Sequence, residues 1–137
     1  MEYDEILNEA MRLPAQQRHQ LAYALRRDTD KVAVREARKD ECRRQLWVYL
    51  KVMAKILGSE PNRILTKDRL TDHVHARWVI WARLYDEGFS QNMIAELSGF
   101  GHNIVQVAVE RVGEIKDHPR YDSFLADLYK RFNEAIK

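Results

Sequence analysis

Cysteine, proline and glycine are scarce in this chain, which has one, three and five of them in 137 residues. The single cysteine, Cys42, excludes an internal disulfide and a cysteine-based metal site, and we interpret it as a small, half-buried apolar side chain. No apolar run approaches the length that spans a bilayer, and the acidic beginning MEYDEILNEA does not have the pattern of a secretory signal. We therefore expect a cytoplasmic protein without a membrane partner.

The remaining composition is that of a folded protein with a substantial core. Hydrophobic residues make up 45% of the chain and charged residues 32%, a balance that a disordered tail does not have. A chain of this length forms one domain, or a small domain with an appendage.

Apolar residues recur at helical spacing along almost the whole chain, and no strand pattern is visible, so we predict an all-α fold. The domain boundary is expected where the apolar periodicity is weakest, between Asp28 and Arg44, which gives an N-terminal part at 1–44 and a main domain at 45–137. Two short helices, Tyr3–Arg12 and Ala15–Arg27, are predicted to form a hairpin around Pro14. A long helix, Asp30–Leu57, follows and is succeeded by a short turn capped by Ser59. The remaining predicted helices are His73–Glu87, two between Ser90 and Ile115, and one from Asp122 to about Ile136.

The most informative stretch, SQNMIAELSGFGHNIVQVAVER, runs from Ser90 to Arg111. Ser90 is a typical first cap of a helix, and Gly99 and Gly101 permit a tight turn before a second helix, which His102 or Asn103 is expected to cap. This pattern predicts a helix-turn-helix unit, in which one helix lies in the major groove of DNA. The short polar side chains at the start of that second helix, which could reach base edges, are His102, Asn103 and Gln106.

The same stretch resembles a family motif that reads Ile-Gly, three residues, then Gly-Arg-Asp-His-Thr-Thr-Val. Here Ile94-Ala95 is followed, after three residues, by the run Gly99 to Val105, and upstream Val74-His75-Ala76-Arg77 is similar to the Ala-Arg helix start of that family. Over about Leu46 to Phe132 the chain thus resembles the C-terminal DNA-binding domain (domain IV) of the bacterial replication initiator DnaA and its stand-alone bacterial and phage relatives. The resemblance implies a Trp-repressor-like helix-turn-helix. Most of the family's base-contacting residues are replaced here, by Phe100-Gly101 before the histidine and by Asn103-Ile104 after it.

Basic residues that could bind phosphates lie on and beside the polar loop before the predicted helix His73–Glu87. In the related domains this loop faces a minor groove, so Lys67, Arg69 and Arg77 are expected to contact the DNA backbone. Between Ser59 and His118, however, seven basic residues stand against nine acidic ones, so DNA affinity should be weak unless the cations gather on one side. The full set of predicted DNA contacts is Lys67, Arg69, Arg77, Ser90, Gln91, His102, Asn103 and Gln106.

The sequence shows no pattern that predicts catalysis, a cofactor or a metal. His73 and His75 lie two residues apart on a predicted helix and therefore point in different directions, so they cannot share a metal from that helix alone. Aromatic residues at helical spacing are expected to form one buried stripe with Val74, namely Trp78, Trp81 and Tyr85. The predicted core as a whole is Trp78, Trp81, Ile94, Leu97, Val105, Val109 and Val112.

Three functional hypotheses remain open. The first is a small, non-enzymatic protein that binds double-stranded DNA, a regulator or replication accessory of phage or mobile-element type. The second keeps the fold but contacts protein, as an adaptor or assembly subunit, through the apolar surface around Phe100 and Ile104. The third, an antitoxin-like regulator, rests on the helix-proline-helix pattern of the N-terminal hairpin, whose apolar residues Ile6, Leu7, Leu21 and Leu25 also predict a homo-oligomer.

Overall fold

The fold consists of helices and their connections. A computed structural model of the protein describes the backbone of residues 15–137 and the side chains of residues 30–137, and no strand occurs in that part of the chain. This confirms the predicted all-α class. In chain order the helices are α1 (Ala15–Leu57), α2 (Pro61–Ile64), α3 (Thr71–Asp86), α4 (Gln91–Ser98), α5 (His102–Asp117), a 3-10 turn (Pro119–Tyr121) and α6 (Ser123–Ala135).

Helix α1 is continuous where the sequence predicted two helices. The predicted break after Arg27 is wrong because Asp28-Thr29-Asp30 contains weak helix formers but neither glycine nor proline, and such residues lower helix propensity without ending a helix. The other hairpin arm, predicted at Tyr3–Arg12, lies outside the described residues. The chain divides into two compact units, Met1–Arg38 and Lys39–Lys137. No helix of the described residues is long and apolar enough to cross a bilayer.

The core of the second unit is centred on Trp81. Its side chain is completely buried, its indole N–H donates to Ser98 Oγ at 3.0 Å, and its ring meets the edge of Phe100 at 5.2 Å between centroids. Cys42 is also completely buried, which is deeper than the sequence suggested. The predicted core residues that are completely buried are Trp81, Ile94, Val105 and Val112, whereas Trp78, Leu97 and Val109 are only partly buried.

The predicted aromatic stripe on α3 is therefore wrong in part. Tyr85 is 44% exposed and Trp78 is half-buried. The buried face of α3 is centred on Ala76, Ile80 and Leu84, about a third of a turn away from that stripe. Trp78 consequently lies at the edge of the core, where it can also contribute to the surface.

The helix ends around α4 follow the sequence signals closely. Ser90 Oγ accepts a hydrogen bond from the Met93 amide at 3.1 Å, and Gly99 ends α4 in a left-handed conformation with φ of 76°. Gly101 caps α5 with its backbone alone, so the prediction that His102 or Asn103 caps this helix is wrong. The Gly101 carbonyl already accepts from the amides of the first turn, which leaves the two polar side chains inside α5 and turned to solvent.

Two other predicted caps have different outcomes. The carboxylate of Asp122 accepts from the Leu125 amide at 3.1 Å and begins α6 as expected. Helix α2 begins after Glu60, and not after Ser59, because Pro61 takes the first helical position and needs no amide partner there. This leaves the Ser59 hydroxyl available for a different contact.

Candidate nucleic-acid interface

The beginning of α5 has one face in the core and one in solvent. Val105 and Ala108 are completely buried, whereas His102, Asn103 and Gln106 are exposed. A helix that is anchored on one side and presents short polar side chains on the other has the geometry needed to contact base edges.

The loop before α3 is fixed by Arg77. The guanidinium donates from Nη1 to the carbonyls of Ile64 at 3.0 Å and Thr66 at 2.8 Å, and from Nη2 to that of Asp68 at 3.1 Å. Its side chain is 6% exposed, and the Asp68 carboxylate lies 3.6 Å away. Burial lowers the pKa of Arg77 and the nearby carboxylate raises it, but guanidinium groups stay charged in proteins. The structure therefore commits Arg77 to the loop, and the predicted phosphate contact is replaced by a positioning role.

A second set of hydrogen bonds holds the same loop from the other side. His73 Nδ1 lies 2.8 Å from Asp68 Oδ2, and its Nε2 lies 3.1 Å from Ser59 Oγ. The Thr66 hydroxyl also donates to the Asp68 carboxylate, at 3.0 Å. The hydrogen bond from His73 is the main cause of the lowered pKa of Asp68. The order of contacts is that of a Ser-His-Asp relay. No pattern in the sequence reveals this set of contacts, because the three residues belong to three different elements.

The anchored loop places Lys67 next to the beginning of α5. Lys67, Gly101 and Ile104 line one cavity of 360 Å³, and Phe100 and Trp78 contribute to its wall. Arg77 stacks beneath this site, with its guanidinium carbon 5.0 Å from the centroid of the Phe100 ring. One predicted cation and the first turn of the predicted recognition helix are thus brought together.

The other predicted contacts lie on separate elements. Arg69 is exposed on the same loop, two residues after Lys67. At the start of α4, the Ser90 hydroxyl is engaged as the helix cap and the Gln91 side chain is half-buried.

Much of the negative charge between Ser59 and His118 is compensated within the fold. Four carboxylates in addition to Asp68 form ion pairs: Asp86 with Lys116 at 2.7 Å, Glu87 with Arg83 at 3.1 Å, Glu96 with Lys39 at 2.7 Å and Glu114 with Arg111 at 3.6 Å. Glu110 lies on the exposed face of α5, 3.5 Å from the Gln106 side-chain nitrogen. These ion pairs also engage Arg83, Arg111 and Lys116, so they leave the balance of charge in this segment nearly unchanged, and Asp68 lines the same cavity as Lys67.

The two neighbouring histidines of α3 have different partners. His75 Nε2 lies 3.4 Å from the Asp122 carboxylate, away from the network of His73. Among the residues that the structure describes, no group of three histidine, cysteine or acidic side chains is arranged to hold a metal ion.

Comparison with known proteins adds no relative to this description, because no protein-family model, curated protein or solved structure matches the chain.

Proposed function

We propose that this protein binds double-stranded DNA, with α4 and α5 acting as a helix-turn-helix unit of the Trp-repressor-like type. The observation that carries the proposal is the shared cavity of Lys67, Gly101 and Ile104, which joins an exposed cation to the first turn of α5. In this arrangement α5 enters the major groove and the loop follows the phosphate backbone. Such a protein would work as a regulator or replication accessory of phage or mobile-element type.

The two groups of residues have separate tasks in this proposal. His102, Asn103 and Gln106 contact base edges, because they are short, polar and exposed at the start of α5. Lys67 and Arg69 bind phosphates, which positions the protein on the duplex without selecting a sequence. The loop stays in place because Arg77 and His73 fix its backbone and its aspartate.

The test is fluorescence anisotropy of the full chain with random and genomic duplexes at two salt concentrations. Substitution of His102 or Asn103 by alanine should reduce discrimination between sites by about 1–3 kcal/mol, and Lys67→Ala or Arg69→Ala should weaken binding to all sequences and reduce the salt slope by about 1. Lys130→Ala is the matched control, since this exposed cation lines a different cavity, with Ile115 and Pro119 at the opposite end of α5.

The results distinguish DNA binding from the alternative function as an adaptor or assembly protein. Equal effects of Lys67→Ala and Lys130→Ala would contradict the assignment of the loop. Absence of binding to every duplex at low salt would favour the adaptor or assembly function. That second candidate is supported by one observation, the exposure of Ile104 and Val107 beside Trp78. The antitoxin-like hypothesis rests on residues 5–25, whose side chains lie outside the described residues.

The Ser59–His73–Asp68 relay is proposed to be structural, in keeping with a non-enzymatic protein. Only 7% of the His73 side chain is exposed, and both of its ring nitrogens already hold neighbouring side chains in place. Incubation with a fluorophosphonate probe should leave Ser59 unlabelled, whereas selective labelling of this hydroxyl would indicate a hydrolase.

Self-association through the N-terminal unit remains part of the proposal. In the sequence Val32 follows Leu25 by seven residues, the heptad spacing of a helical association face, and Val34 does not continue that spacing; the two valines are 62% and 69% exposed. Light scattering on the full chain should show Val32→Lys reducing the oligomer to a monomer and Val34→Lys leaving it intact. Equal masses for both variants and the unmodified chain would contradict association through this face.

A further inference from the structure

The exposed side of α5 also carries apolar surface that phosphate binding does not require. Ile104 and Val107, three residues apart, are 50% and 45% exposed. Together with Trp78 of α3 and with Asn103 they line a cavity of 260 Å³. Of the four side chains, only that of Asn103 offers both a donor and an acceptor to a base edge; Trp78 has a single indole N–H donor, and Ile104 and Val107 have neither. The cavity therefore suits an apolar group that sits next to a hydrogen-bonding partner.

We infer that this cavity recognises thymine, with Ile104, Val107 and Trp78 contacting its methyl group; the inference rests on the proposed DNA binding. The C5-methyl of thymine is the apolar group that the major groove presents, and isoleucine and valine side chains can pack against it. Asparagine is suited to the N6 and N7 atoms of adenine. An A·T pair thus offers both kinds of partner that the cavity provides.

The absence of basic residues near the beginning of α5 supports the same preference for A·T pairs. No lysine or arginine occurs from His102 to Glu110. Arginine and lysine make the commonest specific contact to DNA, with the O6 and N7 atoms of guanine. The first cation of the helix, Arg111, is exposed one residue later and lies 3.6 Å from the Glu114 carboxylate. The inferred target is therefore an A·T-rich site in which thymine methyl groups face α5.

The experiment removes the methyl group from thymine and adds one to cytosine, without changing the hydrogen-bonding groups of either base pair. Anisotropy is measured on the full chain with four short duplexes: alternating A and T, alternating A and U, alternating G and C, and alternating G and 5-methylcytosine. Replacing thymine by uracil should weaken binding about four-fold for each methyl group contacted. The 5-methylcytosine duplex should bind more tightly than its unmethylated counterpart, because the methyl group occupies the same position in the major groove.

Three alanine variants, one of them a control, locate the effect. Ile104→Ala should lose most of the difference between the thymine and uracil duplexes, whereas Val48→Ala, a 43% exposed valine of α1 outside the cavity, should keep it. A uracil penalty that is unchanged in Ile104→Ala and in Val107→Ala would overturn the inference. Equal binding to the thymine and uracil duplexes would also overturn it and leave DNA binding intact. Absence of binding to all four duplexes at low salt would overturn the proposed function itself.

Discussion

Replacement of Arg77 by methionine tests whether this residue holds the loop that carries Lys67. Methionine keeps most of the length and apolar volume of the side chain but removes every hydrogen-bond donor. Three loop carbonyls, those of Ile64, Thr66 and Asp68, then lose their guanidinium partner. The Asp68 carboxylate loses its nearby positive charge as well.

The expected loss of stability in Arg77→Met follows from the burial of the Arg77 side chain and from the number of hydrogen bonds that it makes. A hydrogen bond to a charged group contributes about 1.5–3 kcal/mol, and a carbonyl that loses its partner also carries the cost of its desolvation. The three bonds share one guanidinium and are not additive, so we expect Arg77→Met to lower the free energy of unfolding by about 3–5 kcal/mol. This is a large fraction of the roughly 5–15 kcal/mol that stabilises an ordinary domain.

Urea denaturation followed by circular dichroism measures this loss. With a slope of about 2 kcal/mol per M urea, the midpoint should fall by about 2 M. Arg69→Met is the matched control, because Arg69 is exposed on the same loop and its substitution should change stability by less than about 0.5 kcal/mol. Equal midpoints for the two variants would refute the positioning role.

Three further predictions concern the core, a cap and pH. Trp81→Asp should abolish the cooperative thermal melt because it buries an unpaired charge, whereas Val109→Asp, at a partly buried position, should leave a lowered but cooperative melt; the opposite order would contradict the core assignment. Ser90→Ala should cost about 1 kcal/mol in urea denaturation through loss of the α4 cap, and no change would contradict that role. The hydrogen bond from His73 lowers the pKa of Asp68 in the folded protein. The ionised Asp68 carboxylate therefore contributes its full stabilisation above about pH 4, and this stabilisation is lost as the pH falls through the pKa that Asp68 has in the folded protein. Urea midpoints measured across that range should fall less steeply in Asp68→Asn, and identical curves would contradict the assignment.

The sequence predicted the local structure best where a single residue decides the backbone. Ser90 and Asp122 cap their helices, and Gly99 adopts the left-handed conformation expected from its position. Such signals act within one helical turn and do not depend on the rest of the fold. The all-α class could also be predicted, because helical periodicity extends over most of the chain.

Tertiary contacts were harder to predict from the sequence, because they depend on which face of a helix packs against which neighbouring element. The spacing of Trp78 and Trp81 is compatible with a shared buried stripe, yet the packing of α3 buries one and leaves the other at the surface. In the same way, a basic residue beside a polar loop suggests a phosphate contact, and only the fold shows that the guanidinium of Arg77 turns inward to three carbonyls. The relay of His73 was equally hidden, since its partners come from a helix end and a loop.

The placement of Arg77 separates stability from DNA binding in a way that can be measured. Lys67 is exposed and should contribute to affinity alone, so Lys67→Ala is expected to change the salt slope without changing the urea midpoint. Arg77→Met should lower the midpoint and, because the loop loses its anchor, also weaken DNA binding at a temperature where the protein is still folded. If Arg77→Met reduced stability but left the affinity for DNA unchanged, the loop that Arg77 holds would not be the phosphate-binding surface, and the base contacts of α5 would have to suffice for DNA binding.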